Sequence, residues 1–388
     1  MSIKHLYADE RPSLLLDFAN SKTLDPRITF TRNSTATYVD EMGIIRTAAA
    51  NEARFDQDPV TGECLGLLLE EERTNKIIDS ADFTTSNWFI GSNTTRTANQ
   101  DTAPDGTTTA DRIQLSAASS SFIYYQCAVT SGVTYTFSIY IKNYNNTASS
   151  FDLYYNPGTP TQLGKTDATN DWVRYTLTVT PSSSGTHQFG INNPPDDYAV
   201  DILAWGAQIE EGSFATSIIP TSGSTVTRNA DEAEITGTNF SSWYNTNAVT
   251  IVSTQKDVSP AGANLYDIVW GFGTGGSNRI ELRQRAGEFK RGFYINGTNI
   301  AIAPLLYTKP NHTDNYTVGV AMDANGADQA AEGTSLATTN FTNATMPTIS
   351  TLYFQTGVAG QYFGRKHILR LAYYNTRLSK TTLEALTK

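Results

Sequence analysis

The stretch TYTFSIYIK, Thr134 to Lys142, decides how the rest of the chain is read. Successive side chains of an extended strand point to opposite faces. Tyr135, Phe137, Ile139 and Ile141 then share one face, and Thr136, Ser138, Tyr140 and Lys142 share the other. WVRYTLTV, Trp172 to Val179, repeats the pattern, with Val173, Tyr175, Leu177 and Val179 on one side. Working outward, FIYYQCAV, FDLYYN, THQFGI and AVDILAWGAQIE are further strand candidates in the middle of the chain. AVTIVST, LYDIVWGF, RIELRQR, GFYING, YTVGVAM, TLYFQT and ILRLAYY follow towards the end. Many short strands separated by turns are the signature of β-sandwiches and jelly rolls.

Composition agrees. Hydrophobic residues make up 39% of the chain and charged residues only 17%, which is low for charge. Thr, Ser, Asn, Gly and Tyr fill the space that Lys, Glu and Arg usually occupy. Thr and Tyr favour strands; Asn, Gly and Ser favour turns. The fold class expected is therefore all-β. The formal charge of −10 repels phosphate backbones and argues against a nucleic-acid partner. The N-terminus MSIKHLYADERPS lacks the apolar run of a signal peptide, and no stretch approaches ~18 apolar residues. The expectation is a chain made in a cytoplasm, without membrane insertion. The two cysteines, Cys64 and Cys127, form no CxxC pattern and are expected as buried small hydrophobes.

At 388 residues the chain exceeds one ordinary core. Residues 1–75 read as a strand-and-hairpin segment. Leu14 to Phe18 is a short strand, Thr35-to-Val39 and Ile44-to-Thr47 flank a turn at Glu41, Met42 and Gly43, and Leu65 to Leu69 is a buried strand. Asp58-Pro59 and Gly62 bound another turn. With too few strands for its own core, this segment is expected to pack on another domain or a partner chain. Residues 76–228 read as a first sandwich or jelly roll and residues 229–388 as a second. The Ser/Thr/Gly-rich IIPTSGSTVTRNADEAEI marks the boundary between them. TRLSKTTLEALTK ends in a short helix, with Thr381 and Glu384 as a capping box.

Catalytic patterns are sparse. His5, His187, His312 and His367 lie at no metal-ligand spacing from one another. Gly271, Gly273 and Gly276 spell G-x-G-x-x-G, but SNRIELRQR follows, which alternates as a strand; the glycines read as a hairpin turn rather than a dinucleotide site. Glycan hydrolysis needs paired carboxylates. The local pairs, Glu70-Glu71-Glu72, Asp196-Asp197, Glu210-Glu211 and Asp231-Glu232, are neighbours that face opposite ways on a strand, and no Glu-x-Asp occurs. The chain is expected not to be an enzyme and to require no cofactor. Aromatic planes against pyranose faces remain the best chemical signal. Among Trp88, Tyr124, Tyr125, Tyr140, Tyr154, Tyr155 and Trp172, the candidates for sugar stacking are Tyr140 and Tyr154, placed on the strand face opposite the apolar one. Asp79, Asp82 and Asp201, near the first and last strands of the unit, are the candidates for a structural calcium site.

Three passages carry a resemblance. FTRNSTATYVDEMGIIRTAAANEARFDQDPVTGECLGLLLEEERTN, residues 30–75, resembles the leader of many phage virion proteins of the tail, fibre or minor structural type. The run from Ser80-Ala-Asp-Phe and Trp88, through APDGTTTADRI, to WGAQIEEGSFATSIIPTSGSTVTRNAD is similar to the carbohydrate-binding-module-like jelly roll that follows it. RLAYYNTRLSKTTLEALT looks like the end of the laminin-G-like or concanavalin-A-like sandwich that closes such chains. Within the second passage Trp205, Ala207 and Ile209 alternate with Gly206 and Gln208 as a last core strand, and Phe214 and Ile218 cover the barrel end. The resemblance implies a virion location and a tail, neck or head fibre subunit. Its partners would be itself, as a homo-oligomer and most commonly a homotrimer, other virion proteins and host surface glycans. The alternatives it leaves are a capsid or collar decoration protein with a purely structural role and a glycan-degrading spike.

Overall fold

The computed structural model describes residues 11–388 apart from 119–120, 159–160, 163–164, 194–197, 246, 258–265, 274–278, 286–289, 298–299, 303–306, 309–314, 343 and 355–363. Strand accounts for 53% of the chain and helix for 6%, so the fold is all-β. No described helix is long and apolar enough to cross a membrane.

The first sandwich closes two antiparallel sheets over one core. One sheet runs, edge to edge, Val173–Val179, Tyr135–Asn143, Val200–Glu211, Ala110–Leu115 and Thr94–Asp101. The other runs Thr161–Gln162, Ser150–Asn156, Gly185–Asn192, Phe122–Val129 and Trp88–Ile90, with Thr166–Asp167 beside Ser150–Asn156. Tyr135, Phe137, Ile139 and Ile141 all enter the shared core with Phe151, Phe189 and Ile209, as the alternation requires. Leu177 joins them, whereas Val173, at the strand's end, stays 37% exposed. Trp205 departs from the simple alternation. A register shift opposite Ser138 and Tyr140 coincides with Gly206 at φ +64°, a bulge that turns Trp205 to the outer face while Ala207 and Ile209 remain inside. Cys127 is buried in this core, which pushes its thiol up to about 11; Cys64 is only half-buried, and both are free thiols.

The second sandwich is completed by the N-terminal segment. Its first sheet places Ala248–Asp257 next to Arg365–Tyr374, and Arg365–Tyr374 next to Cys64–Glu70, with Arg54–Gln57 at the edge; Leu14–Asp17 also pairs with Arg365–Tyr374. The second sheet begins with Thr29–Thr31, paired to Glu232–Thr236. Leu14, Leu16, Phe18, Ile28, Phe30, Leu67 and Leu69 share one core with Ile251, Trp270, Val320 and Leu371. Residues 1–75, with too few strands for a core of their own, pack on another part of the chain: their strands supply interior to the sandwich of residues 229–388. The expected hairpin forms between Ala36–Val39 and Ile45–Ala48, with Gly43 at φ +75° in its turn. Tyr266–Gly273 pairs with Arg279–Arg285, so the glycine-rich stretch joins two antiparallel strands, although Gly276 lies outside the described residues. The C-terminal helix Lys380–Leu386 starts earlier than the Thr381 capping box implies. Ser379 is its cap, accepting from the Thr382 N–H at 3.1 Å. Leu383 seats the helix on the sheet against Val252, Ala321 and Ala330.

The two sandwiches meet over a buried ionic network. Arg54 donates to Glu70 at 2.8 Å and to Asp231, and Arg32 donates to the second Asp231 oxygen at 2.9 Å. Arg228 lies 2.9 Å from Glu70. Ser217 gives Glu70 both its N–H, at 2.7 Å, and its hydroxyl, at 2.6 Å. All of these charged side chains are within 1% of full burial. Burial works against the Glu70 charge, but Arg228, Arg54 and Arg365 outweigh it and hold the carboxyl well below its usual range. Beside the network, buried His367 donates its Nε2–H to the Asp56 carboxylate at 2.9 Å. Burial pulls the His367 pKa down despite Asp56.

Two outcomes follow from this packing. Arg54→Met leaves Glu70 and Asp231 buried with lost partners, so urea unfolding should show a loss of about 3–5 kcal/mol. Arg46→Ala, which removes a partly exposed pair with Asp40, should cost less than about 1 kcal/mol. The pH dependence also has a definite sign. As pH falls below about 6.5 the unfolded chain protonates position 367 before the folded chain does, so stability falls on acidification. Glu70 acts in the same direction lower down: its contribution is complete above the ordinary carboxyl pKa and lost as pH falls towards its depressed folded value. Between pH 7.5 and 5.5, His367→Gln should flatten the slope of unfolding free energy against pH. His187, also depressed by burial, leaves a residual slope.

Candidate functional site

The sheet containing Phe122–Val129 carries an aromatic row on its outer face, open to solvent at Phe89 and covered at Tyr154. In that strand Ile123, Tyr125, Cys127 and Val129 point into the core, so Phe122, Tyr124, Gln126 and Ala128 point out. Cross-strand pairing then fixes what lies beside Tyr124. Phe89 is opposite on one side, Gly190 on the other, and Tyr154 lies beyond Gly190. Phe89 stacks on Tyr124 with ring centroids 5.4 Å apart and planes 14° from parallel. Tyr124 and Tyr154 lean together over Gly190, 6.3 Å apart at 33°. Phe122 stacks on Tyr124 from the adjacent row, at 5.4 Å. Gly190 is required here, because a Cβ would lie 2.0 Å from the Ile123 carbonyl oxygen.

Polar rows flank the rings. Gln126, Gln188 and Asn156 align on one side; Asn192 and Asp152 align with Phe122 on the other. Tyr154 is fixed by its phenol, which donates to the Gln188 side-chain oxygen at 2.9 Å and accepts from Asn156 at 2.8 Å. Phe89 is 42% exposed and Tyr124 half-buried, whereas Tyr154 is 8% exposed. The face offers ring planes and amide donors and acceptors, the groups that hold a pyranose by its apolar face and its hydroxyls. Asp152 is the one carboxylate among the described residues of these rows.

The two tyrosines singled out from sequence stand on opposite sheets. Tyr154 belongs to the aromatic row. Tyr140 belongs to the other sheet, whose outer face is itself covered. Its ring packs 5.8 Å from Trp205 and 5.5 Å from the Arg174 guanidinium, amid Ile45, Ala110, Leu203 and Ile218. Alternation placed Tyr140 opposite the main core; the N-terminal hairpin and residues 216–219 supply a second, smaller core there. Trp88, Tyr125 and Tyr155 are interior residues. Phe89, which sequence reading missed, was legible as the residue alternating with buried Trp88.

Asp79, Asp82 and Asp201 are not gathered into a metal site. Asp79 accepts from the Asn87 side chain at 2.6 Å and the Gly223 N–H at 3.0 Å. Asp82 accepts from Thr84, and Asp201 takes two bonds from Arg112 at 2.8 and 2.7 Å. No group of three metal-ligating side chains occurs among the described residues. The acidic runs resolve similarly. Glu70 and Asp231 lie in the ionic network, Glu210 accepts from Thr216 and Gln208, and Glu211 pairs with Lys76 at 3.0 Å. Asp196 and Asp197 lie outside the described residues. Burial pushes the Asp111 carboxyl up, but its oxygens accept the Phe83 and Asn99 backbone N–H groups.

No protein-family model matches the chain, and no curated protein does. Among solved structures, the chain is similar to the CBM40 domain of Ruminococcus gnavus IT-sialidase bound to α2,3-sialyllactose. That match has 19% identity and a TM-score of 0.32, covering 39% of this chain and 88% of the other. Domain 4 of AbnA, a GH43 arabinanase of Geobacillus stearothermophilus, in complex with arabinotriose, matches at 8% identity and TM-score 0.33, over 41% and 73%. The binding domain of Botulinum neurotoxin DC, in complex with rat synaptotagmin II, matches at 11% identity and TM-score 0.33, over 41% and 40%.

Proposed function

We propose that this chain is a non-catalytic, glycan-binding attachment subunit of a phage-type virion appendage, and that the row Phe89–Tyr124–Tyr154 is its binding face. The observation that carries the glycan reading is the alignment of three rings across four paired strands, flanked on both sides by amide side chains. A core needs no such row on its outer face, and the rings form a contiguous stack rather than single exposed side chains. The virion assignment rests on the sequence resemblance of residues 30–75 and of the stretch ending at Asp231. Assembly as a homo-oligomer, a trimer by that resemblance, belongs to the same reading. The N-terminal strands lend it no support, since they pair within the chain.

Binding at each site is weak in this account. One sugar ring buries little area, and hydroxyl desolvation offsets much of the hydrogen bonding. Affinities on the order of millimolar to high micromolar per site, raised by avidity on a multivalent particle, are expected. A glycan array with host-cell adhesion as a second readout tests this. Phe89→Ala with Tyr124→Ala should weaken binding at least about tenfold with the melting temperature nearly unchanged. Tyr140→Ala should do the reverse, lowering the melting temperature while leaving binding intact. A wild-type protein that binds no glycan and no host surface would overturn the reading in favour of a structural decoration protein. Release of reducing ends from host polysaccharide would overturn its non-catalytic part.

A further inference from the structure

A cavity of about 360 Å³ lies on the outer face of the other jelly-roll sheet, beside the first residue of the strand Arg365–Tyr374. Its floor is formed by Thr136, Thr176 and Thr178, and one wall by Ser213, Phe214 and Ala215. The charged side chains among the described residues that line it are both guanidiniums, Arg174 and Arg365. In a chain of formal charge −10, that concentration of one sign is local and positive.

The two guanidiniums differ: Arg174 meets only uncharged acceptors among the described residues, whereas Arg365 shares the carboxylates of the buried ionic network. Arg174 donates to the Thr216 carbonyl at 2.5 Å and to the Ser138 hydroxyl at 2.9 Å, both uncharged. No carboxylate pairs with it among the described residues, and its buried Nε has no acceptor. Arg365 reaches Asp56 only at 3.5 Å and Glu70 only at 3.4 Å. Those carboxylates make shorter bonds elsewhere, Asp56 to His367 at 2.9 Å and Glu70 to Ser217 at 2.6 Å. The remaining groups suit a sugar. Thr176 and Thr178 are exposed residues, the Thr178 hydroxyl sharing a hydrogen bond with Thr136 at 3.0 Å, and Phe214, held under the Arg73 guanidinium at 5.1 Å, gives an apolar wall.

We propose that this cavity binds a carboxylated pyranose of the hexuronic-acid class, its carboxylate between Arg174 and Arg365 and its hydroxyls on Thr176 and Thr178. Guanidinium–carboxylate hydrogen bonds are charge-assisted, and the volume falls in the range of small-ligand pockets. This site is separate from the aromatic row and stands whether or not that row binds glycan.

Saturation-transfer NMR and calorimetry on the full chain test it, with sodium glucuronate as ligand and glucose and sodium sulfate as comparators. Glucuronate should bind with a dissociation constant in roughly the millimolar range, and glucose at least about tenfold more weakly. Arg174→Gln should weaken glucuronate binding about tenfold or more. Thr176→Glu, at an exposed position, should abolish it with the wild-type melting temperature, which keeps the test decisive if Arg174→Gln impairs folding. Glucuronate binding no tighter than glucose, or unchanged in Thr176→Glu, would overturn the proposal. Sulfate displacing glucuronate at equal concentration would overturn the sugar assignment by reducing the cavity to a plain anion site.

Discussion

Arg54 between Glu70 and Asp231 is the contact on which the rest of the molecule depends. Placing these charges out of water is costly, and the mutual attraction compensates only when every partner is present in good geometry. The network therefore stabilises one arrangement of its contributors and penalises every other. Those contributors come from separated parts of the chain. Arg32, Arg54 and Glu70 lie in the N-terminal segment, Ser217 and Arg228 in the stretch between sandwiches, and Asp231 at the start of the second. Arg365 and His367 extend it into the last strand. What looks like a leader followed by a linker is a clasp that sets the two sandwiches against each other.

That clasp gives a physical meaning to the strings on which the phage-virion resemblance rests. FTRNST contains Arg32, ANEARFD contains Arg54 and Asp56, LLLEEERTN contains Glu70, and ATSIIPTSGSTVTRNAD contains Ser217, Arg228 and Asp231. The same strings that suggest a virion protein carry the buried charges and the strands of the composite core. They are framework, and they say nothing directly about ligand. Both candidate binding regions lie on the outer faces of the jelly-roll sheets, held by a scaffold whose relative placement the network fixes.

Period-two alternation made the sandwiches legible because it reports directly on which side of a strand is apolar. Tyr135 to Ile141 and the hairpin around Gly43 are examples. Alternation failed where it could not count layers. Tyr140 was placed on the outer face correctly, yet a second small core covers that face, built from Ile45, Trp205 and Ile218 at distant positions. The bulge at Gly206 likewise moved Trp205 across the sheet. The N-terminal strands were seen, but their destination was not, since pairing between Leu14–Asp17 and Arg365–Tyr374 spans nearly the whole chain. In the aromatic row, Tyr154 was legible from its own strand. Its alignment with Tyr124 and Phe89 depends on cross-strand register, which no single strand encodes.

The central claim is that residues 229–388 do not form a complete sandwich without the N-terminal segment and its charges. Hydrogen exchange on a truncated chain beginning at Lys76, compared with the full chain, measures this directly. The account predicts that Ala248–Asp257 and Tyr316–Asp323 lose protection in the truncated chain while Tyr135–Asn143 keeps it. Full-length protection retained in Ala248–Asp257 and Tyr316–Asp323 would contradict it.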